Sequence, residues 1–212
     1  MSGSLPPQIE QHVLGSSLAL ANTPEGAERV LAGARRVLER DGPTALSMRN
    51  VAAEAGVTAT AIYRHYASKD ALLQVLIREC YDVFLEYVTP IAPATVMRSP
   101  LQQLVTTFDR YLDFALEHPA SYELLFASAH RISIDLYPVD FNTGKSRGFR
   151  QLRSLVAECI EAGEIRDGDP ADVALDLYGH AHGLVMLHRA GRFGDREEGL
   201  RRFYRRSLAR LF

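Results

Sequence analysis

The sequence predicts an all-α protein, and three observations carry that expectation. Apolar residues recur at steps of three and four along nearly the whole chain, helix starts are marked by a polar residue followed by proline, and no stretch keeps the two-residue alternation of a strand. The marks stand at Thr23-Pro24, Ser99-Pro100 and Asp169-Pro170, with His118-Pro119 as a weaker fourth. In the three strong cases a capping side chain precedes a proline at the first helical position, where a missing N–H costs nothing. Helices are expected near 24–40, 47–54, 58–64, 69–89, 100–117, 119–128, 145–163, 170–190 and 195–211.

Residues 1–22 combine Gly, Ser and a Pro pair without sustained periodicity and read as a flexible N-terminal arm. The first helix turns Val30, Ala34, Val37 and Leu38 inward. Residues 69–89 read as one long connecting helix with Leu72, Leu73, Leu76 and Ile77 on its apolar face. The helix at 100–117 shows the same pattern through Leu101, Leu104, Val105, Phe108, Leu112 and Ala115. Between 131 and 148, Pro138 and the Asn-Thr-Gly turn signal at 142–144 predict a long loop. The last segment, 189–212, holds eight arginines beside an apolar stripe of Leu200, Phe203, Tyr204, Leu208 and Leu211, as expected of an amphipathic helix packed on a bundle.

Composition narrows the function classes. Of the 212 residues, 47% are apolar and 24% charged, which is globular usage and excludes wholesale disorder. A net charge of -2 gives no global basic signature, so any contact with nucleic acid has to come from a local patch. Cys80 and Cys159 have no paired spacing, which disfavours a zinc site or a disulfide-stapled fold. No lysine or arginine precedes Arg29, and the apolar stretches are short and interrupted, so neither a signal peptide nor a membrane span is expected and the reading is cytoplasmic.

Residues 44–70, TALSMRNVAAEAGVTATAIYRHYASKD, read as two short helices joined by a tight turn. Ser47 caps the first, whose inner face is Val51, Ala52 and Ala55, and Gly56 supplies the residue most able to take a positive φ at its end. Val57 follows as an apolar anchor, Thr58 or Thr60 caps the second helix, and Ile62 faces the core. The pattern is a helix-turn-helix corner.

The stretch S-M-R-N-V-A-A-E-A-G-V-T-A-T-A-I-Y-R-H-Y-A-S-K-D-A-L resembles the DNA-binding signature of the TetR family of transcriptional regulators, and the preceding helix with Arg40-Asp41-Gly42 and Leu46 fits that family's first helix and turn. The resemblance implies an N-terminal three-helix DNA-binding domain at 23–68, a connecting helix at 69–89, and a C-terminal helical bundle at 90–212 for effector binding and dimerisation. It places Ser47, Met48, Arg49, Thr58, Ala59, Thr60, Tyr63, Arg64, His65 and Lys69 at the DNA, with Arg49 as the leading base reader and Ser47, Tyr63, His65 and Lys69 at phosphates. Residues 23–70 hold seven basic side chains (Arg29, Arg35, Arg36, Arg40, Arg49, Arg64, Lys69) against six acidic ones (Glu25, Glu28, Glu39, Asp41, Glu54, Asp70), a local +1 that predicts modest non-specific binding. Further on, His118-Pro119-Ala120, Tyr122 to Phe126 and Tyr178-Gly-His-Ala-His-Gly-Leu-Val-Met-Leu resemble the subgroup whose C-terminal domain is called WHG, with Ala181 where that motif has Trp.

The same resemblance implies a homodimer on a palindromic double-stranded operator, with Leu152, Leu155 and Cys159 on one helix and Leu177, Ala181 and Leu184 on the next as candidate interface. It implies repression relieved by a small-molecule effector, apolar or aromatic, in a pocket drawn from Phe84, Phe108, Tyr111, Tyr122, Phe126, Tyr178 and His182. No cofactor, metal or membrane partner is expected. The rival reading is a small-molecule enzyme or metal sensor built on Asp176, His180 and His182, but His182 lies about 200° round the helix from His180, so one ion does not easily take both. No G-x-S-x-G, H-E-x-x-H or G-x-x-x-x-G-K-[ST] motif occurs, and no catalytic residue is assigned.

Overall fold

A computed structural model describes residues 24–89, 99–127, 146–194 and 197–212. Among them the chain is helical, with no strand: α1 (Pro24–Asp41), a 3-10 turn (Pro43–Ala45), α2 (Met48–Ala55), α3 (Ala59–Ile62), α4 (Lys69–Val88), α5 (Pro100–Glu117), α6 (Pro119–Tyr122) running into a π-helical turn (Glu123–Ala127), α7 (Arg147–Glu161), α8 (Pro170–Arg189) and α9 (Glu197–Leu208). The arm at 1–22, Thr23 and most of the loop expected at 131–148 lie outside the described residues.

Two of the polar-proline starts, Ser99-Pro100 and Asp169-Pro170, are helix caps. Ser99 accepts a hydrogen bond from the Gln102 amide at 3.3 Å ahead of Pro100, and Asp169 accepts from Ala171 and Asp172 ahead of Pro170. Ser146 caps α7 through the Phe149 amide, and Ser68 caps α4 through Ala71. Each removes one of the orphan donors of a helix start.

The described residues form two compact units. The first holds α1 to α3, α4 as far as Cys80, and the segment 120–127; the second holds the end of α4 from Tyr81, α5, and α7 to α9. The connecting helix is thus one continuous α4 whose residues are shared, and Tyr122, expected in the C-terminal bundle, is fully buried in the first unit.

In the first unit α1 packs on α2 and the 3-10 turn. Val30, Ala34, Val37, Leu38, Leu46, Val51, Ala52 and Ile62 are at most 4% exposed, which is the core expected from periodicity. The contact between α1 and α2 is closest at Gly33, where an added Cβ would lie 3.0 Å from Ala55 Cβ, 3.1 Å from Ala55 N and 3.2 Å from Val51 O. Glycine at this mid-helix site costs about 1 kcal/mol of helix propensity, and its use marks a backbone approach closer than most side chains accept.

In the second unit Leu104 and Phe108 of α5, Leu177 of α8 and Leu200 and Tyr204 of α9 are buried, and the Tyr204 hydroxyl donates to the Phe108 carbonyl at 3.1 Å. The arginines of α9 that face α5 are paired: Arg201 with Asp113, Arg205 with Asp109 at 2.8 Å. The last helix therefore packs on the bundle as expected. Of the six residues expected to meet a partner subunit, five are core instead. Cys159 and Ala181 are 0% exposed, Leu177 1%, Leu184 6% and Leu155 7%, because the inner faces of α7 and α8 close on each other within the chain; only Leu152 is half-exposed.

Gly33→Ala sets a clash of about 1–3 kcal/mol for overpacking against a propensity gain of about 1 kcal/mol. Because the atoms met are Ala55 Cβ, which cannot rotate away, and two backbone atoms, the clash wins, and thermal or urea unfolding should show a destabilised variant. A melt equal to or above the parent's would contradict the close approach.

Candidate nucleic-acid interface

The corner is built by three local devices. Ser47 Oγ accepts from the Asn50 amide at 3.1 Å, and the Asn50 side chain donates to the Ala45 carbonyl at 2.8 Å, fixing the entry to α2. At the other end Gly56 takes φ 65 and ψ 38, the left-handed conformation. The Val57 amide then donates to Ala52 O at 3.0 Å and the Gly56 amide to Ala53 O at 3.2 Å, the paired bonds of a Schellman end. Of the two candidate threonines, Thr58 is the cap of α3: its Oγ1 accepts from the Ala61 amide at 3.2 Å.

α3 is shorter than the 58–64 expected. Regular helix covers Ala59–Ile62, and turns continue it as Ile62 O accepts from both His65 and Tyr66 amides at 2.9 and 3.0 Å. Ile62 is fully buried and Tyr66 reaches back to the Ala27 carbonyl, so the segment is pinned from inside. Its outer surface consists of Thr58, Ala59, Thr60, Tyr63 and Arg64, all exposed, with Tyr63 at 53%. Arg49 is exposed on α2, while His65 and Lys69 are half-buried. Met48 is half-buried over a water-sized cavity lined by Ala34, Val51, Leu72 and Leu73, which makes it packing more than surface.

The seven basic side chains of residues 23–70 fall into two sets. Arg49, Arg64 and Lys69 make no side-chain hydrogen bond or ion pair among the described residues. The four on α1 are engaged within the protein: Arg35 grips Glu79 of α4 with Nε and Nη2 at 2.9 and 2.6 Å and also holds Glu28. Arg36 and Arg40 share the Glu54 carboxylate, each at 2.7 Å, and Arg29 donates to the carbonyls of Ala55 and Gly56, both at 3.0 Å. Hydrogen bonds from Arg40 and then Arg36 hold the Glu54 carboxyl below the usual carboxylate range. A count of charges along the chain is right in total and wrong in supply, since helical periodicity does not say which guanidinium finds a partner.

In the second unit four of the seven expected pocket residues gather. Tyr111 lies edge-on to Phe84 and to Tyr178, Tyr178 stacks on His182, and the Tyr111 hydroxyl and His182 Nδ1 are 3.3 Å apart. Phe114, an aromatic of the same helical spacing on α5, completes the group against Phe84. Burial pushes Tyr178 up to about 12 and His182 down, so both are neutral near pH 7. Phe108 is core beneath α9, and Tyr122 and Phe126 pair with each other at 5.0 Å in the first unit. Asp176, His180 and His182 do not converge: Asp176 is exposed, His180 bonds Ser207 Oγ, and His182 meets Tyr111. Among the described residues no cluster of metal-ligand side chains forms, and no helix is long and apolar enough to cross a membrane.

Comparison with known proteins adds identity to this geometry. Residues 30–76 match the family described as bacterial regulatory proteins, tetR family, and residues 104–211 match the tetracyclin repressor-like C-terminal domain. That second description does not name the WHG subgroup. An HTH-type transcriptional regulator of Mycobacterium tuberculosis is 29% identical over 102 residues, which are 48% of this chain and 43% of that protein. The match thus spans less than half the length of that relative. A protein of unknown function from Rhodococcus sp. RHA1 shares the fold at a TM-score of 0.69 and 22% identity, covering 87% of this chain and 92% of that one. A TetR family transcriptional regulator from Thermus thermophilus does so at 0.61 and 16%, covering 86% and 96%.

The depressed Glu54 carboxyl sets an acid dependence. A carboxyl lowered in the folded state contributes stability above its unfolded value of about 4.3 and loses it as pH falls through the folded value. Stability of the parent should decline on acidification below about pH 4.5, and Glu54→Gln should decline less steeply over that window. Parallel acid profiles in urea unfolding would contradict the shared Glu54 pairing.

Proposed function

The chain belongs to the tetR family of bacterial regulatory proteins, and from that premise we propose that it is a sequence-specific DNA-binding transcriptional regulator, a repressor that leaves its operator when a small molecule binds the second unit. Proteins of this family are transcriptional regulators rather than enzymes. The observation that carries the reading is the set of cations without a side-chain partner among the described residues, Arg49, Arg64 and Lys69, around an exposed Thr58-Ala59-Thr60-Tyr63 surface on a capped corner. Arg49 suits a bidentate contact to guanine, Thr58 and Thr60 offer hydroxyls, and Ala59 offers a methyl contact to thymine. Tyr63, Arg64, His65, Ser47 and Lys69 serve the backbone phosphates, which dominate affinity.

One such corner covers few base pairs, so two copies on a two-fold axis are expected to enter successive major grooves about 34–36 Å apart. The surface favouring such a dimer is the outer face of α8. Leu175 is 42% and Leu187 47% exposed there, and a Cβ added at Gly179 or Gly183 between them would meet nothing within 4 Å, so a second helix has room to approach closely. The effector reading rests on the ring group of Phe84, Tyr111, Phe114, Tyr178 and His182, neutral throughout, which favours an uncharged apolar or aromatic molecule with one hydrogen-bonding group. The setting is the cytoplasm, where an operator is reached.

In vitro selection from a random duplex pool should enrich a palindrome, and Arg49→Ala should then lose about 1–3 kcal/mol on it and relax one base preference. Lys69→Ala should weaken all duplexes alike and flatten the salt slope by about one unit. Equal binding by both variants would overturn the residue assignment. Leu175→Glu combined with Leu187→Glu should shift the solution mass from dimer to monomer, and an unchanged dimer would place the interface elsewhere.

A further inference from the structure

The C-terminal end of α2 exposes more carbonyls than its glycine turn can satisfy. The Schellman bonds occupy Ala52 O and Ala53 O, leaving the carbonyls of Glu54, Ala55 and Gly56 at the turn into α3. Guanidinium groups of α1 take all three: Arg36 donates to Glu54 O at 3.1 Å, and the fork of Arg29 donates through Nε to Ala55 O and through Nη2 to Gly56 O, each at 3.0 Å.

These contacts follow from a pattern in α1. Arg29, Gly33, Arg36 and Arg40 stand at steps of four, three and four, within an arc of about 60° at 100° per residue, and so form one stripe. Gly33 brings the helix backbones together, and the flanking arginines then reach across. Arg36 and Arg40 close the stripe on the Glu54 carboxylate. Two positive groups at the negative end of α2 also favour its dipole.

We propose that Arg29, seconded by Arg36, is a positioning residue for base reading: it fixes the direction in which the chain leaves α2 and so aims α3, without touching DNA. The inference rests on the DNA-binding reading above. A Lys cannot replace it, because one ammonium lacks the planar fork that meets two carbonyls at once.

The test compares the parent, Arg29→Gln and Arg29→Lys on the selected operator and on a scrambled duplex across a salt series, with thermal melts to establish that each variant is folded. A positioning role predicts that both variants lose tenfold or more on the operator while binding to the scrambled duplex and the salt slope stay as in the parent. If Arg29→Lys instead binds like the parent, or Arg29→Gln flattens the slope by about one unit per protomer, the residue is a phosphate contact and the inference fails. Hydrogen exchange needs no DNA: the amides of Val57, Ala61 and Ile62 should exchange at least tenfold faster in Arg29→Gln and in Arg36→Gln. Unchanged exchange overturns the clamp. A parent that enriches no duplex overturns the DNA-binding reading itself, and the exchange measurement still decides the clamp.

Discussion

The reading corner depends on the close approach of α1 and α2 at Gly33. With the Ala55 amide 3.1 Å and the Val51 carbonyl 3.2 Å from where a side chain would begin, the two helices meet backbone to backbone. That contact lets Val30, Ala34 and Val37 interlock with Val51, Ala52 and Ile62 in a core with almost no exposure. A helix of four residues such as α3 has no stability of its own. It persists because Thr58 caps it, Ile62 anchors it, and the helix before it is fixed against α1.

The same approach decides where charge goes. Arginines beside Gly33 lie within reach of α2's last carbonyls and Glu54, and Arg35, on a neighbouring face, grips Glu79 of α4. Exposed ion pairs of this kind are individually worth about 0–1 kcal/mol, so their effect is geometric more than energetic. They hold relative orientations and withdraw four guanidinium groups from the surface available to phosphates. Among residues 23–70 that leaves a small set without a side-chain partner among the described residues, Arg49, Arg64 and Lys69, for the proposed contact with DNA.

Much of this is legible in the residues. The proline-marked caps, Gly56 as the corner, Ile62 as the anchor and the inner face of α1 all follow from local chemistry, which acts within a few residues. The misses share a cause: periodicity identifies an apolar or charged face without saying what covers it. It offers Leu177, Ala181 and Cys159 to a partner, and the chain's own core consumes them. It leaves Arg29, Arg36 and Arg40 as free charge, and all three are engaged within the unit. The stripe Arg29-Gly33-Arg36-Arg40 is itself a signal, since a glycine between arginines on one helix face is an unusual choice for a solvated surface. The four-residue length of α3 is not legible, because its continuing turns carry the same residues a longer helix would.

The measurement that tests the account most directly is the salt dependence of operator binding by the parent protein. Three outward cations per reading head, six in a dimer, predict a slope of log affinity against log salt of about −5. Engagement of the α1 arginines as well would bring about fourteen cations to the DNA and a slope of about −13. The shallow slope is the expected result; the steep one would mean that the α1 arginines leave their partners for phosphates, and would contradict the division of charge on which this description of the corner rests.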